Sequence, residues 1–226
     1  MIVAAVTSST WLWYFTRATG IVALVLLSAI IVLGTLGPLR ASSSRWPRFA
    51  VATVHRDLSL LALVLIVLHV LTTVLDGYAP IGLIDAVVPL ISSYRPIWLG
   101  LGAVAFDLML AIVVTSLLRR SIGYRAWRWI HWLTYASWPV AVLHGLGAGS
   151  DSREAWALAV TFACVLAVAV AAVVRTVRTP AVGARLRTAA IAATVAIPIV
   201  LAAFTIIGPL APHWSARAGT PANLIR

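Results

Sequence analysis

Charge is what this chain has least of. Of its 226 residues only 10% are charged and six are acidic, while 62% are hydrophobic and the mean hydropathy is +1.02. A soluble domain carries about 25% charged residues, so a water-soluble globule is excluded. Cysteine is almost absent too. The single Cys164 forms no internal disulfide, and no C-x-x-C motif exists. Met1–Thr10 has no positive charge, and the apolar run after it is too long for a leader's core, so no signal peptide is expected.

Long apolar runs take up nearly everything else. Six are long enough, at roughly 18 residues or more, to cross a bilayer: Trp11–Leu36, Phe49–Leu75, Ile97–Leu118, Trp127–Leu146, Ala155–Val174 and Ala189–Leu210. Without water to satisfy backbone groups, such runs must be helical. The sequence therefore predicts an all-α polytopic membrane helical bundle with six transmembrane helices. It reads as a single membrane domain, 1–226, with no stretch left for a soluble one.

The net charge of +11 comes from arginines gathered in alternate connections. Arg40, Arg45, Arg48 and Arg56 flank the first, Arg119, Arg120, Arg125 and Arg128 the third, and Arg175, Arg178, Arg185 and Arg187 the fifth. That alternation is the positive-inside pattern and not a nucleic-acid surface. It places both termini outside, in a multi-pass protein of the cell membrane surrounded by lipid. Trp11, Trp13, Trp98, Trp156 and Trp214 then fall at the outer interface, and Trp46, Trp127 and Trp129 at the inner one.

Two connections invite local structure. In Asp76–Pro96, Ile81, Ile84, Val88 and Ile91 recur at helical spacing, which suits either a short surface helix or a hydrophobic loop over helix ends. In Gly145–Glu154, Asp151 with Glu154 has the form of a capping box opening the fifth span. The last two spans lack histidine and internal charge and read as packing helices. Cys164 reads as inert packing and His213 as a surface residue.

Four of the five histidines lie inside spans. His55 and His69 stand fourteen residues apart on the second, His131 and His144 thirteen apart on the fourth. Both spacings correspond to about 20 Å of helix rise. Both spans run inside to outside, so His55 is level with His131, and His69 with His144. Neutral imidazole is a standard haem-iron ligand, and polar groups in a span usually mark function. Two level pairs therefore predict two b-type haems, each held by one histidine from each helix. One detail resists: a thirteen-residue helical step leaves the second side chain about 140° out of line, against about 40° for fourteen. Pro139, between His131 and His144, is the expected site of a compensating kink.

Gly20 and Gly34, also fourteen apart, would let the first helix approach a porphyrin closely, or serve ordinary helix packing. Arg17, inside the first span, is a costly cation that needs an anion, and an outer haem propionate is the expected partner. Arg95, Arg56 and Arg128 fit interfacial anchoring as well as or better than propionate binding. Asp107, mid-span in the third helix, reads as structural.

Together these features resemble the ferric reductase-like transmembrane domain, a superfamily that includes NADPH oxidases, ferric reductases and the haem-binding membrane subunit of the periplasmic methionine sulfoxide reductase. The carriers are T-R-A-T-G at Thr16–Gly20, H-R-D at His55–Asp57, L-H at Leu68–His69, Y-R-P at Tyr94–Pro96, and the run from Arg125 to His144. The likeness covers about residues 10–175, with 189–210 as an additional helix. It implies a dihaem electron-transfer subunit of an oxidoreductase, with His55 and His131 on the inner haem iron and His69 and His144 on the outer. Arg17 matches a family arginine near the haems. Family reductases continue into a flavin and NADPH domain. This sequence has no G-x-G-x-x-G fingerprint and no flavin motif. The expected redox partners are thus a flavoprotein or quinol donor and an external acceptor. Two other readings stay open: a quinol-linked cytochrome b, and a non-haem membrane scaffold or transporter.

Overall fold

A computed structural model describes residues 10–40, 48–179 and 183–225. Every regular element among them is helical. The long helices are α1 (Thr10–Leu36), α2 (Arg48–Leu75), α3 (Pro96–Leu117), α7 (Ala155–Arg178) and α8 (Ala184–Ile207). Between α3 and α7 come α4 (Arg119–Ile122), α5 (Tyr124–His131) and α6 (Thr134–Ala148). A short α9 (Trp214–Arg217) follows α8.

Among the described residues five helices are long and apolar enough to cross a membrane, and the chain is a multi-pass membrane protein. The expected fourth span is not one helix. It divides at Trp132–Leu133 into α5 and α6, each too short to cross alone. Pro139 lies inside α6 without ending it. At the division the backbone tightens instead. The amides of Leu133, Tyr135 and Ala136 donate to the carbonyls of Ile130, Trp132 and Leu133, three residues back. The Thr134 hydroxyl takes the His131 carbonyl at 2.6 Å.

α1 is the central element. It packs on α2 and α7 and touches α6, while α6 packs on α3, and α8 lies against α7. The interior cluster joins Ile31, Trp138, Val142, Leu146, Cys164, Val165 and Leu201. Within it the Trp138 indole N–H donates to Ser28 Oγ at 2.9 Å, so its polar atom is satisfied. Only 11% of the apolar windows of α2 and α8 is buried within the protein. Their exposed valines, leucines and isoleucines suit contact with lipid.

Three local expectations change. Asp76–Pro96 forms only a 3-10 turn, Leu83–Ala86, with Ile84 and Ile91 exposed, so no amphipathic surface helix is present. Glu154, not Asp151, occupies the position before α7, and it makes no side-chain cap. Asp151 is engaged elsewhere. Trp98 and Trp214 do not face an interface. They stack with Phe204 in an aromatic cluster, with centroids 4.9–5.9 Å apart, and Gly147 lies against the Trp98 indole where a Cβ would overlap it. Trp11, Trp129 and Trp156 are exposed as expected. Arg45 and Trp46 lie outside the described residues.

Arg95 secures this end of the bundle. It is buried, with φ of 43°, and its backbone N–H donates to Gly219 O at 3.0 Å. Its guanidinium donates to Thr220 Oγ1 at 2.9 Å and to the carbonyls of Gly147 and Ala148 at 3.0 and 3.3 Å. A cation on the last carbonyls of α6 also opposes that helix's negative end. Arg95→Leu would leave these acceptors unsatisfied, and hydrogen bonds to a charged group are worth about 1.5–3 kcal/mol. Thermal unfolding in detergent should show a loss of that order. An unchanged midpoint would mean that Arg95 does not tie the C-terminal segment to α6.

Candidate functional site

The structure brings the four histidines together in two pairs. The His55 and His131 rings lie 6.2 Å apart between centroids, inclined at 59°. The His69 and His144 rings lie 6.4 Å apart, inclined at 85°. α2 presents its two histidines from one face because fourteen residues nearly complete four turns. The α5–α6 segment reaches the same result by its tight turn. A 3-10 stretch winds at about 120° per residue, so some four such residues add about 80°. The 140° mismatch drops to about 60°, close to that of α2.

Each of three histidines lies against a glycine. A Cβ on Gly20 would be 3.0 Å from the His69 ring, and one on Gly34 would be 3.3 Å from the His55 ring. Gly20 and Gly34 therefore accommodate the imidazoles themselves. The third is Gly102 of α3, where a Cβ would come within 2.6 Å of the His144 ring.

These gaps let the rings reach backbone carbonyls one helical turn before the glycine. His69 Nδ1 donates to Thr16 O at 2.8 Å, four residues before Gly20. His144 Nδ1 donates to Trp98 O at 2.9 Å, four before Gly102. A carbonyl can only accept, so each Nδ1 carries the proton and each Nε2 keeps its lone pair. Ile30 stands in the matching place before Gly34, but His55 Nδ1 falls short of a hydrogen bond, and so does His131 Nδ1. His131 is oriented differently. The Trp127 ring stacks on it at 5.0 Å and 28°, and the Trp127 indole N–H donates to Ser116 Oγ at 3.1 Å.

A cavity of roughly 340 Å³ opens at the His69–His144 level between α1, α2, α3 and α6. Both glycines of that level line it, and so do Arg17 and Asp151. The Arg17 guanidinium, lying 3.9 Å over the Trp13 ring, donates through Nε and Nη2 to both oxygens of Asp151. The anion that Arg17 needs is thus present in the chain itself, on the connection between α6 and α7. Arg17 therefore needs no cofactor carboxylate to balance its charge. Arg56 is 70% exposed and pairs with Asp57, and Arg128 is exposed over Trp132, which fits interfacial anchoring. His213 is exposed and Cys164 buried, as expected.

Gly102, the pairing of Asp151 with Arg17 and the stacking role of Trp127 are not legible in the sequence. A faint signal existed. Gly102 and Ser116 are small residues fourteen apart on α3, repeating the Gly20–Gly34 interval.

Fold and site define a helical membrane protein whose interior carries two level pairs of histidines. The family model described as "Ferric reductase like transmembrane component" matches residues 19–142, more than half of the chain. The chain belongs to that family. The match contains His55, His69 and His131 and ends two residues before His144. Comparison with curated proteins and with solved structures gave no match.

The glycine contacts make a stability test. Gly102→Ala forces a methyl into the His144 ring and should cost about 1–3 kcal/mol through overpacking. Gly145→Ala, inside α6 with nothing within 4 Å of its Cβ position, should not lower the unfolding midpoint. Equal behaviour of the two variants would remove the close contact.

Proposed function

We propose that this protein carries electrons across the cell membrane between two b-type haems, as the membrane subunit of an oxidoreductase whose donor and acceptor are partner molecules. The observation that carries the reading is the pair spacing. Two metal–imidazole bonds of about 2 Å, plus about 1 Å from each nitrogen to its ring centre, sum to about 6 Å. The observed centroid separations are 6.2 and 6.4 Å. Among the described residues no three His, Cys, Asp or Glu side chains converge on one point. Two-ligand pairs suit a metal whose other positions are filled by a porphyrin. Membership of the ferric reductase-like family supports the same chemistry.

In this reading His55 and His131 hold the inner haem, and His69 and His144 the outer. When bound, haem supplies reversible one-electron chemistry. The protein's part is orientation and exclusion of water. The carbonyls of Thr16 and Trp98 fix the outer imidazoles with Nε2 bare, and outer-shell hydrogen bonds of this kind set ring orientation and ligand basicity. Trp127 does part of that work for His131 through stacking. Both termini lie outside, following the arginine asymmetry, and a flavoprotein or quinol is the donor.

Two experiments test this. Pyridine haemochrome analysis of purified protein should give about two haems per chain. His55→Ala and His131→Ala should remove one and the same haem, and His69→Ala and His144→Ala the other. A colourless protein would sink the proposal, and shared spectra for His55→Ala and His69→Ala would undo the level assignment. For sidedness, a cysteine at exposed Ser150 should react with an impermeant thiol reagent in intact cells, and one at exposed Ser121 should be shielded. Reversed labelling would exchange inner and outer. Ser42–Ser44, in the first connection, lie outside the described residues.

A further inference from the structure

The cavity at the His69–His144 level contains a carboxyl group with no role in the account above. Asp76 directly follows α2, and its amide still donates to Thr72 O at 2.9 Å as the helix ends. The residue is 7% exposed, lines the cavity, and its Oδ1 is buried without a hydrogen-bond partner. Seven residues separate it from His69, two turns along the same helix face, or about 10 Å.

The other ionisable groups lining that cavity have defined surroundings. Arg17 from α1 and Asp151 from the α6–α7 connection hold each other. Asp85, on the 3-10 turn packed against α2, accepts from the Gly82 amide at 2.6 Å. Tyr78 and Tyr94 come from the same α2–α3 connection. Burial raises the Tyr94 hydroxyl above its ordinary range, so it stays neutral. His69 on α2 and His144 on α6 face one another. No hydrogen bond among the described residues reaches the Asp76 carboxylate, and burial pushes this carboxyl above the usual carboxylate range.

We infer that Asp76 is a proton-accepting group coupled to the His69–His144 redox site. As one electron arrives at that site, the Asp76 carboxylate takes one proton from the adjacent aqueous phase and becomes a carboxylic acid. It releases the proton when the electron leaves. The only bond made or broken is the O–H bond, and the electron comes from the donor partner. The inference rests on the reading of the site as a haem centre. Two negative charges about 10 Å apart, at an interior dielectric near 20, shift a protonation equilibrium by about tenfold. With the pH between the two pKa values, a tenfold shift carries the protonated fraction of Asp76 from about a quarter to about three quarters as the electron arrives.

Redox titration of the purified haem-loaded protein, with dithionite as one-electron reductant, reads the coupling. The midpoint potential of one haem should fall as pH rises, over a total of about tenfold in its reduction equilibrium, or about 59 mV for one electron. The other haem should stay flat. Asp76→Asn should abolish the dependence, and Asp76→Glu should keep it. If the slope survives Asp76→Asn, another carboxyl carries it, such as Asp85 or a haem propionate, and the inference is overturned. A second readout does not depend on the variants folding. The reduced-minus-oxidised infrared spectrum of the native protein should gain a carboxylic-acid band on reduction. That band should move when the protein is grown with carboxyl-¹³C aspartate. No band, or an unmoved one, overturns the inference. A protein without haem overturns this reading and the parent proposal together, whereas haem-loaded native protein with pH-independent potentials overturns this one alone.

Discussion

The arrangement depends on a single packing constraint: an imidazole must come close enough to a neighbouring helix to donate to that helix's own backbone. An ordinary side chain on the neighbour would block the approach. Gly20 and Gly102 remove the Cβ, and the carbonyls one turn earlier, Thr16 and Trp98, accept the hydrogen bond from Nδ1–H. The same contact that seats each ring also selects its tautomer and leaves Nε2 directed away from the supporting helix. Buried polar groups are seldom left unpaired, and here the pairing serves both packing and chemistry.

The two levels are built differently. At the His69–His144 level both histidines are hydrogen-bonded and the cavity is bordered by charged and phenolic groups. At the His55–His131 level both Nδ1 atoms are buried without partners, and His131 is oriented by the Trp127 stack. The tight turn at Trp132–Leu133 links the levels, because it corrects the helical phase that a thirteen-residue interval would otherwise impose. It also makes α5–α6 less regular than α2, while the chain still passes from the level of His55 to that of His69.

Charge is scarce in this protein, and several of the charged groups at the His69–His144 end are buried. Arg17 and Asp151 join α1 to the α6–α7 connection, and Arg95 joins the start of α3 to the end of α6 and to the C-terminal segment. A charge in or near the bilayer is tolerated only when partnered, so each of these contacts fixes the relative position of elements far apart in sequence. Asp76, without such a partner, differs from its neighbours for that reason.

Much of this was legible in the residues themselves. Hydropathy alone located α1, α2, α3, α7 and α8, because backbone groups in lipid have no alternative to helical hydrogen bonding. The intervals between His55 and His69, and between His131 and His144, pointed to the ring pairs, since helical rise converts sequence spacing directly into depth. Gly20 and Gly34 stood out for the same reason. Periodicity could not say that Gly102 belongs with them, because α3 meets α6 only through the packing of the bundle. Nor could it show that Arg17 is answered by Asp151, more than a hundred residues away. The division of the expected fourth span at Trp132–Leu133 was hidden as well: hydropathy is blind to a local change from four-residue to three-residue hydrogen bonding. The sequence by itself determined which helices are long and apolar enough to cross a membrane and how far apart along the chain the two histidine levels stand, because those follow from composition and rise along one chain. Which helix faces which, and therefore what each histidine touches, was decided only by tertiary packing, where rotation about each helix axis is set by contacts between distant segments.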